Sequence, residues 1–216
     1  MSETADQKQD AGAARRELIL DRAEELFAEH GFHGIALSKI AAAAGLGNAG
    51  LIHHFPTKAS LYRAVLERVA GDIDERLDLA LATARGPAER LRAFIRVQLE
   101  WSLERPRAFR LIQRELIDNR ERVVAARALP LAGFVAAGRA IVAEAQKAGL
   151  VEQGPPELRL SLIIGALTYA ALVRPTFRQI LAKDAADNLL AEDRAWMEAV
   201  AEDLLAGTVE RNRQTG

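Results

Sequence analysis

Apolar residues recur at three- and four-residue spacing along nearly the whole chain, and no stretch sustains a period-two alternation of apolar and polar residues. The first pattern buries one stripe of a helix and the second would bury one face of a strand, so the chain is confined to an all-α fold. Ile19, Ala23, Leu26 and Phe27 form one stripe, with Gly31 placed to end it in a left-handed conformation. Leu37, Ile40, Ala41 and Ala44 form a short second stripe closed by Gly45. Thr57 is placed to cap a long helix through Leu61, Val65, Val69, Ile73 and Leu77. Gly86-Pro87 opens the next helix, and Arg105-Pro106 breaks it near Glu104, because the residue before proline avoids helical backbone. Phe109, Ile112 and Leu116 follow, then a run from Leu131 to Ala145 that stops at Gly149. Gly154-Pro155-Pro156 is the clearest later breaker. The final stripe holds Leu189, Trp196, Met197, Val200 and Leu204. These breakers predict about nine or ten helices and no sheet.

Composition narrows the class further. A chain of 216 residues, half of them hydrophobic, can bury a substantial core. It holds no cysteine, so disulfides and thiolate metal sites are excluded. No basic segment followed by an apolar one opens it, and the longest greasy run, 160–173, falls short of the roughly 20 residues of a bilayer span. That run is expected to be a helix buried in protein, interrupted at Pro175, in a cytoplasmic protein with no membrane contact. Residues 1–13 are polar and small without periodicity and are expected to form a disordered tail. Residues 14–60 and 61–216 are expected to form two domains that share the long helix after Thr57.

Charge locates the function. Lys and Arg together number 29 against 30 Asp and Glu, so any contact with a polyanion must come from a local patch. Between Glu29 and Glu67 there is no acidic residue, while Lys39, Lys58, Arg63 and all four histidines (His30, His33, His53 and His54) lie there. Within this window two short helical segments meet at Ala44-Gly45-Leu46, where glycine supplies the left-handed turn at no steric cost. Short helix, glycine turn and second short helix make a helix-turn-helix, whose second member, near 47–55, fits the major groove of DNA. His53 and His54 are adjacent and point about 100° apart, a poor arrangement for chelating one metal.

The residues of this window carry a specific resemblance. Gly31-Phe32, Leu37-Ser38-Lys39-Ile40-Ala41, Ala44-Gly45-Leu46 and Leu51-Ile52-His53-His54-Phe55-Pro56-Thr57-Lys58 are similar, in order and spacing, to the DNA-binding signature of the TetR family of transcriptional regulators. The similarity covers about residues 15–66. It implies an N-terminal three-helix domain with the helix-turn-helix and a C-terminal helical bundle for ligand binding and dimerisation. It implies that Leu37, Ile40, Ala41, Leu46, Leu51 and Phe55 are core. Asn48 and His53 are then expected to reach base edges, and His54 and Lys58 to hold phosphates. Ser38 and Lys39 would approach the DNA backbone from the first helix of the motif, with Gly47, Ala49 and Gly50 completing the DNA-facing segment. A lysine at a helix start opposes the helix dipole, a mild cost that a phosphate partner would explain.

Four positions depart from the family pattern. Ala36 stands where a capping Ser or Thr is usual, and Gly47 where the recognition helix usually has a Ser cap. Gly50 and Ile52 replace a hydroxyl residue and a Tyr that usually bond phosphate. Losing two neutral phosphate contacts costs on the order of 1 kcal/mol each per half-site. The Ala49-Gly50 pair also lowers helix propensity.

The C-terminal sequence is less informative. Trp101, Phe109, Phe134 and Tyr169, with Arg114 as a polar anchor, are the candidate contacts for a small apolar or amphipathic effector, and each also reads as ordinary core or surface. Leu162, Gly165, Ala166 and Tyr169 on the greasy helix, with Trp196, Val200 and Leu204 on the last one, are expected to form a two-fold seam between copies. The resemblance then implies a homodimer binding a palindromic double-stranded operator and released by a ligand, with no metal or cofactor and no enzymatic activity. Two alternatives are a helical enzyme or carrier using a C-terminal cavity, and an architectural helix-turn-helix protein with a filled C-terminal core. No glycine-rich phosphate loop or Ser/His/Asp grouping favours the enzyme.

Overall fold

The computed structural model describes residues 3–118, 121, 129–181 and 192–209. Among them are nine helices and no strand: α1 Glu3–Gly34, α2 Leu37–Ala43, α3 Asn48–His54, α4 Lys58–Thr83, α5 Gly86–Glu104, α6 Pro106–Asp118, α7 Ala132–Lys147, α8 Pro156–Leu181 and α9 Asp193–Val209. The chain divides into two compact units, Met1–Gly71 with Pro106–Pro130, and Asp72–Arg105 with Leu131–Gly216. The division falls within α4, and α6 belongs to the first unit.

In the first unit α1 buries Ile19, Ala23 and Phe27 of the expected stripe together with Leu20, while Leu26 is half-buried. Gly31, at φ 72°, ends the regular part of α1. Arg68 of α4 spans the side of α1, donating to Asp21 at 2.7 Å and Glu24 at 2.7 Å. α6 lies against α1, held by Arg107 to Glu25 at 3.0 Å. Tyr62 joins the Phe27 and Phe32 rings edge-on and donates its hydroxyl to Glu115 at 2.8 Å.

In the second unit Asp72 organises the start of the bundle. Its Oδ2 accepts from the Trp101 indole at 2.8 Å and pairs with Arg105 at 3.2 Å. The Phe94 and Phe134 rings stack at 4.9 Å. α7 lies close beneath them through Gly138, where an added Cβ would stand 2.7 Å from Phe94 Cζ. Gln146 closes the loop after α7 by donating to the carbonyls of Glu152 and Gly154, each at 2.9 Å.

Two expectations are corrected. The backbone is helical from Glu3, so the segment 3–13 is an extension of α1 and not a disordered tail; residues 1–2 lie outside the described residues. Helix propensity suffices there, since Ala, Gln and Lys are good helix formers appended to an existing helix and need no new nucleus. Pro175 does not interrupt the greasy helix, which runs the full 26 residues to Leu181. α9 brackets the proline: before it, Asp193 pairs with buried Arg174 and Trp196 donates its indole N–H to the Ala170 carbonyl at 3.2 Å, and after it the Trp196 ring meets Phe177 edge-on at 6.3 Å.

At that length α8 is long and apolar enough to cross a membrane by length and composition, and only 28% of its most apolar window is buried. It is therefore less enclosed than a core helix. Leu158, Leu162, Gly165, Tyr169 and Leu172, spaced four and three residues apart, are all exposed. Leu189, expected on the last helix, lies outside the described residues.

Candidate nucleic-acid interface

α2 ends in two backbone bonds characteristic of a glycine-terminated helix. The Leu46 N–H donates to Ala41 O at 2.8 Å and the Gly45 N–H to Ala42 O at 3.0 Å, with Gly45 at φ 68°. The turn thus reverses the chain within a few residues and delivers Gly47 as the N-cap of α3, in extended conformation with no side-chain cap bond. Ala36 caps α2 in the same bare way. Leu51 and Phe55 seat α3 against the core and are buried, as are Ile40 and Ala41 of α2. Leu37 and Leu46, also expected in the core, are half-buried.

α3 turns one face inward and the other to solvent. Stepping about 100° per residue, its residues run round the axis as Leu51, Phe55, Asn48, Ile52, Ala49, His53, Gly50, His54. The first two are buried, Asn48, Ile52, Ala49, His53 and Gly50 are exposed, and His54 is half-buried. Ser38 and Lys39 are exposed on α2. The structure therefore brings Ser38, Lys39, Gly47, Asn48, Ala49, Gly50 and His53 to the surface of one helix pair, free of carboxylates in sequence from 30 to 66.

Thr57 caps α4 as its sequence position suggests. Its Oγ1 accepts from the Ser60 N–H at 3.0 Å, and Ser60 Oγ accepts from the Thr57 N–H at 3.1 Å. Lys58 follows with its Nζ 4.8 Å from the centre of the Phe32 ring. Partial burial holds its pKa below the usual lysine value. The ring face is an attractive partner for the ammonium and offsets part of the dipole cost that the sequence alone ascribed to a phosphate.

Sequence reasoning missed two members of this surface. Arg16 of α1 lies outside the acid-free window, yet its guanidinium stands 5.1 Å over the Phe55 ring at the end of α3. The Arg15-Arg16 doublet was visible, but nothing local tied it to Phe55. Ile52 was marked only as a lost phosphate contact, whereas 47% of it is exposed on the outward face.

The candidate effector contacts are distributed over both units. Phe109 and Arg114 are half-buried on α6 in the first unit, and Trp101, Phe134 and Tyr169 belong to the second. Trp101 and Phe134 are buried and already engaged, by Asp72 and Phe94, while Tyr169 is 65% exposed. A groove of about 450 Å³ lies between α5 and α9, lined by Ile95, Leu99, Ala201 and Leu205 and by charged side chains of both helices, among them Arg96 and Glu198. Gln98 of α5 is not among its lining residues; it is buried and donates its Nε2 to the Ile164 carbonyl of α8 at 3.5 Å. Of the candidate dimer residues, Leu162, Gly165 and Tyr169 are exposed and Ala166, Trp196, Val200 and Leu204 are half-buried.

Residues 19–65 match the family profile described as bacterial regulatory proteins, tetR family. The HTH-type transcriptional regulator RutR of Escherichia coli K12 is 33% identical over 120 residues, 53% of each chain. The chain thus spans about half the length of the curated relatives it matches. FadR of Bacillus subtilis, solved in complex with stearoyl-CoA, shares the fold with a TM-score of 0.66 at 22% identity, over 88% of this chain and 98% of that one. AibR, solved in complex with isovaleryl coenzyme A and operator DNA, has a TM-score of 0.65 at 20% identity, over 89% and 97%.

Proposed function

From the premise that this chain belongs to the TetR family of bacterial regulatory proteins, we propose that it is a ligand-responsive DNA-binding repressor. It acts as a homodimer on a palindromic operator and is not an enzyme. The observation that carries this reading is the outward face of α3, set on the Gly45 turn with Asn48 and His53 exposed and no acidic residue in the surrounding sequence. A helix so placed enters the major groove, where Asn48 and His53 meet base edges while Ser38, Lys39, His54 and Lys58 meet the backbone. Arg16 joins the backbone contacts.

The dimer forms through α8 and α9. The exposed Leu158, Leu162, Gly165, Tyr169 and Leu172 repeat with the heptad spacing that a second helix covers. The apolar surface that makes α8 long enough for a membrane is then a subunit seam. The effector is an amphipathic small molecule, the class to which both thioesters named in the neighbouring structures belong. It binds in the second unit, where the α5–α9 groove offers space. An effector that reaches Phe134 has to displace the Phe94 stack. Ligand binding favours a dimer whose recognition helices no longer match two successive grooves.

Selection of bound sequences from a random duplex pool tests the reading. The expected product is a palindrome whose affinity falls steeply with salt. Lys58→Ala then weakens all sequences alike, and Asn48→Ala relaxes preference at particular base pairs. A pool without enrichment, or both variants retaining the parent's affinity and preference, overturns it.

A further inference from the structure

Ile52 is the one large apolar side chain standing exposed on α3, with 47% of its surface open. On an ordinary surface a single exposed isoleucine calls for no explanation. Its position here does, because it lies in the arc Asn48, Ile52, Ala49, His53, in which two hydrogen-bonding side chains flank two apolar ones. All four are exposed, while Leu51 and Phe55 anchor the opposite side.

We propose that Ile52, with Ala49 beside it, reads thymine methyl groups, so that the operator half-site carries A·T pairs between the positions met by Asn48 and His53. The proposal rests on the DNA-binding reading above and deepens it. The C5 methyl of thymine is the apolar group that base edges display in the major groove, and small aliphatic side chains pack against it. A β-branched chain with few rotamers reaches such a target with little loss of side-chain freedom.

The neighbours of Ile52 set the reach. Gly47, Ala49 and Gly50 carry no long side chain, and beyond Gly47 there is open space within 4 Å. Beside the flanking Asn48 and His53, which meet base edges themselves, these positions add no bulk that would hold the helix off the groove floor, and Ile52 and Ala49 need that close approach because their side chains are short. The replacement of a polar phosphate-bonding residue by Ile52 then exchanges a sequence-neutral contact for a sequence-dependent one.

The test uses the full-length protein and the duplex recovered by selection. Each thymidine in turn is replaced by deoxyuridine, which removes the methyl and keeps the base pair. The expected result is a loss of about fourfold in affinity at one or two positions per half-site, the transfer of one methyl-sized group out of water. In Ile52→Ala that loss disappears at the Ile52 position and persists at others. Because Ile52 is exposed, the variant keeps the core intact, and the deoxyuridine scan of the parent protein needs no variant at all. A selected sequence without A·T pairs in the half-site, or one insensitive to every replacement, overturns the inference and leaves the DNA-binding reading standing. An unchanged scan in Ile52→Ala also overturns it. Absence of any selected sequence sinks the DNA-binding reading itself.

Discussion

Lys58 opens α4 against the helix dipole, and the residues that accommodate it come from different distances along the chain. Thr57 and Ser60 are local: their reciprocal bonds to backbone N–H groups, at 3.0 and 3.1 Å, follow from a hydroxyl at the cap and another three residues on. Thr57→Ala removes one of them, and urea unfolding is expected to show a loss of about 1 kcal/mol. Phe32 is distant in sequence, so its ring beneath Lys58 was not legible before the fold was known. Asp74 is a second residue whose state depends on surroundings. Burial, and then the charge of Asp78, raise its carboxyl pKa above the ordinary aspartate value. The folded state thus binds the proton more tightly than the unfolded chain, and ionised Asp74 opposes folding as pH rises through its raised pKa. Asp74→Asn is expected to raise Tm at pH 7, an advantage that vanishes once the medium is acid enough to protonate aspartate in both states. Tm measured against pH for the two proteins checks the sign; equal Tm values at neutral pH would refute it.

Helix boundaries were legible wherever a breaker acts through its own backbone. Gly45, Arg105-Pro106 and Pro155-Pro156 end or begin helices where their chemistry requires. Pro175 shows the limit of that logic. A proline inside a helix removes one backbone bond, but α9 holds the helix on both sides of it through Trp196, which donates to the Ala170 carbonyl before the proline and meets the Phe177 ring edge-on after it. Gly138 shows the reverse, a glycine inside a helix whose reason is tertiary. A Cβ there would stand 2.7 Å from Phe94 Cζ and 2.8 Å from Leu160 Cδ1. Gly138→Ala gains helix propensity and yet is expected to destabilise the protein by about 1–3 kcal/mol through overpacking. Denaturant titration decides, since a net gain in stability would mean that the Phe94 ring moves aside freely.

At the scale of the whole molecule, α8 presents an apolar face that one chain alone leaves open. If a second copy covers it, Leu162→Lys places a charge in the seam, and sedimentation equilibrium is expected to show monomers at concentrations where the parent is dimeric. The variant then binds a single half-site weakly, while its α3 surface is unchanged. A dimer of undiminished affinity would move the seam elsewhere. The sequence by itself determined the helical class and the helix-turn-helix, because both rest on short-range periodicity, glycine backbone freedom and the charge of one contiguous window. It also marked α8 as apolar. Only the tertiary structure decided which apolar residues are covered, and by what. The Phe94 stack took Phe134, Asp72 took Trp101, and Tyr169 and Ile52 were left outside. Hydrophobicity is a property of a side chain, whereas burial depends on elements that meet from far along the chain.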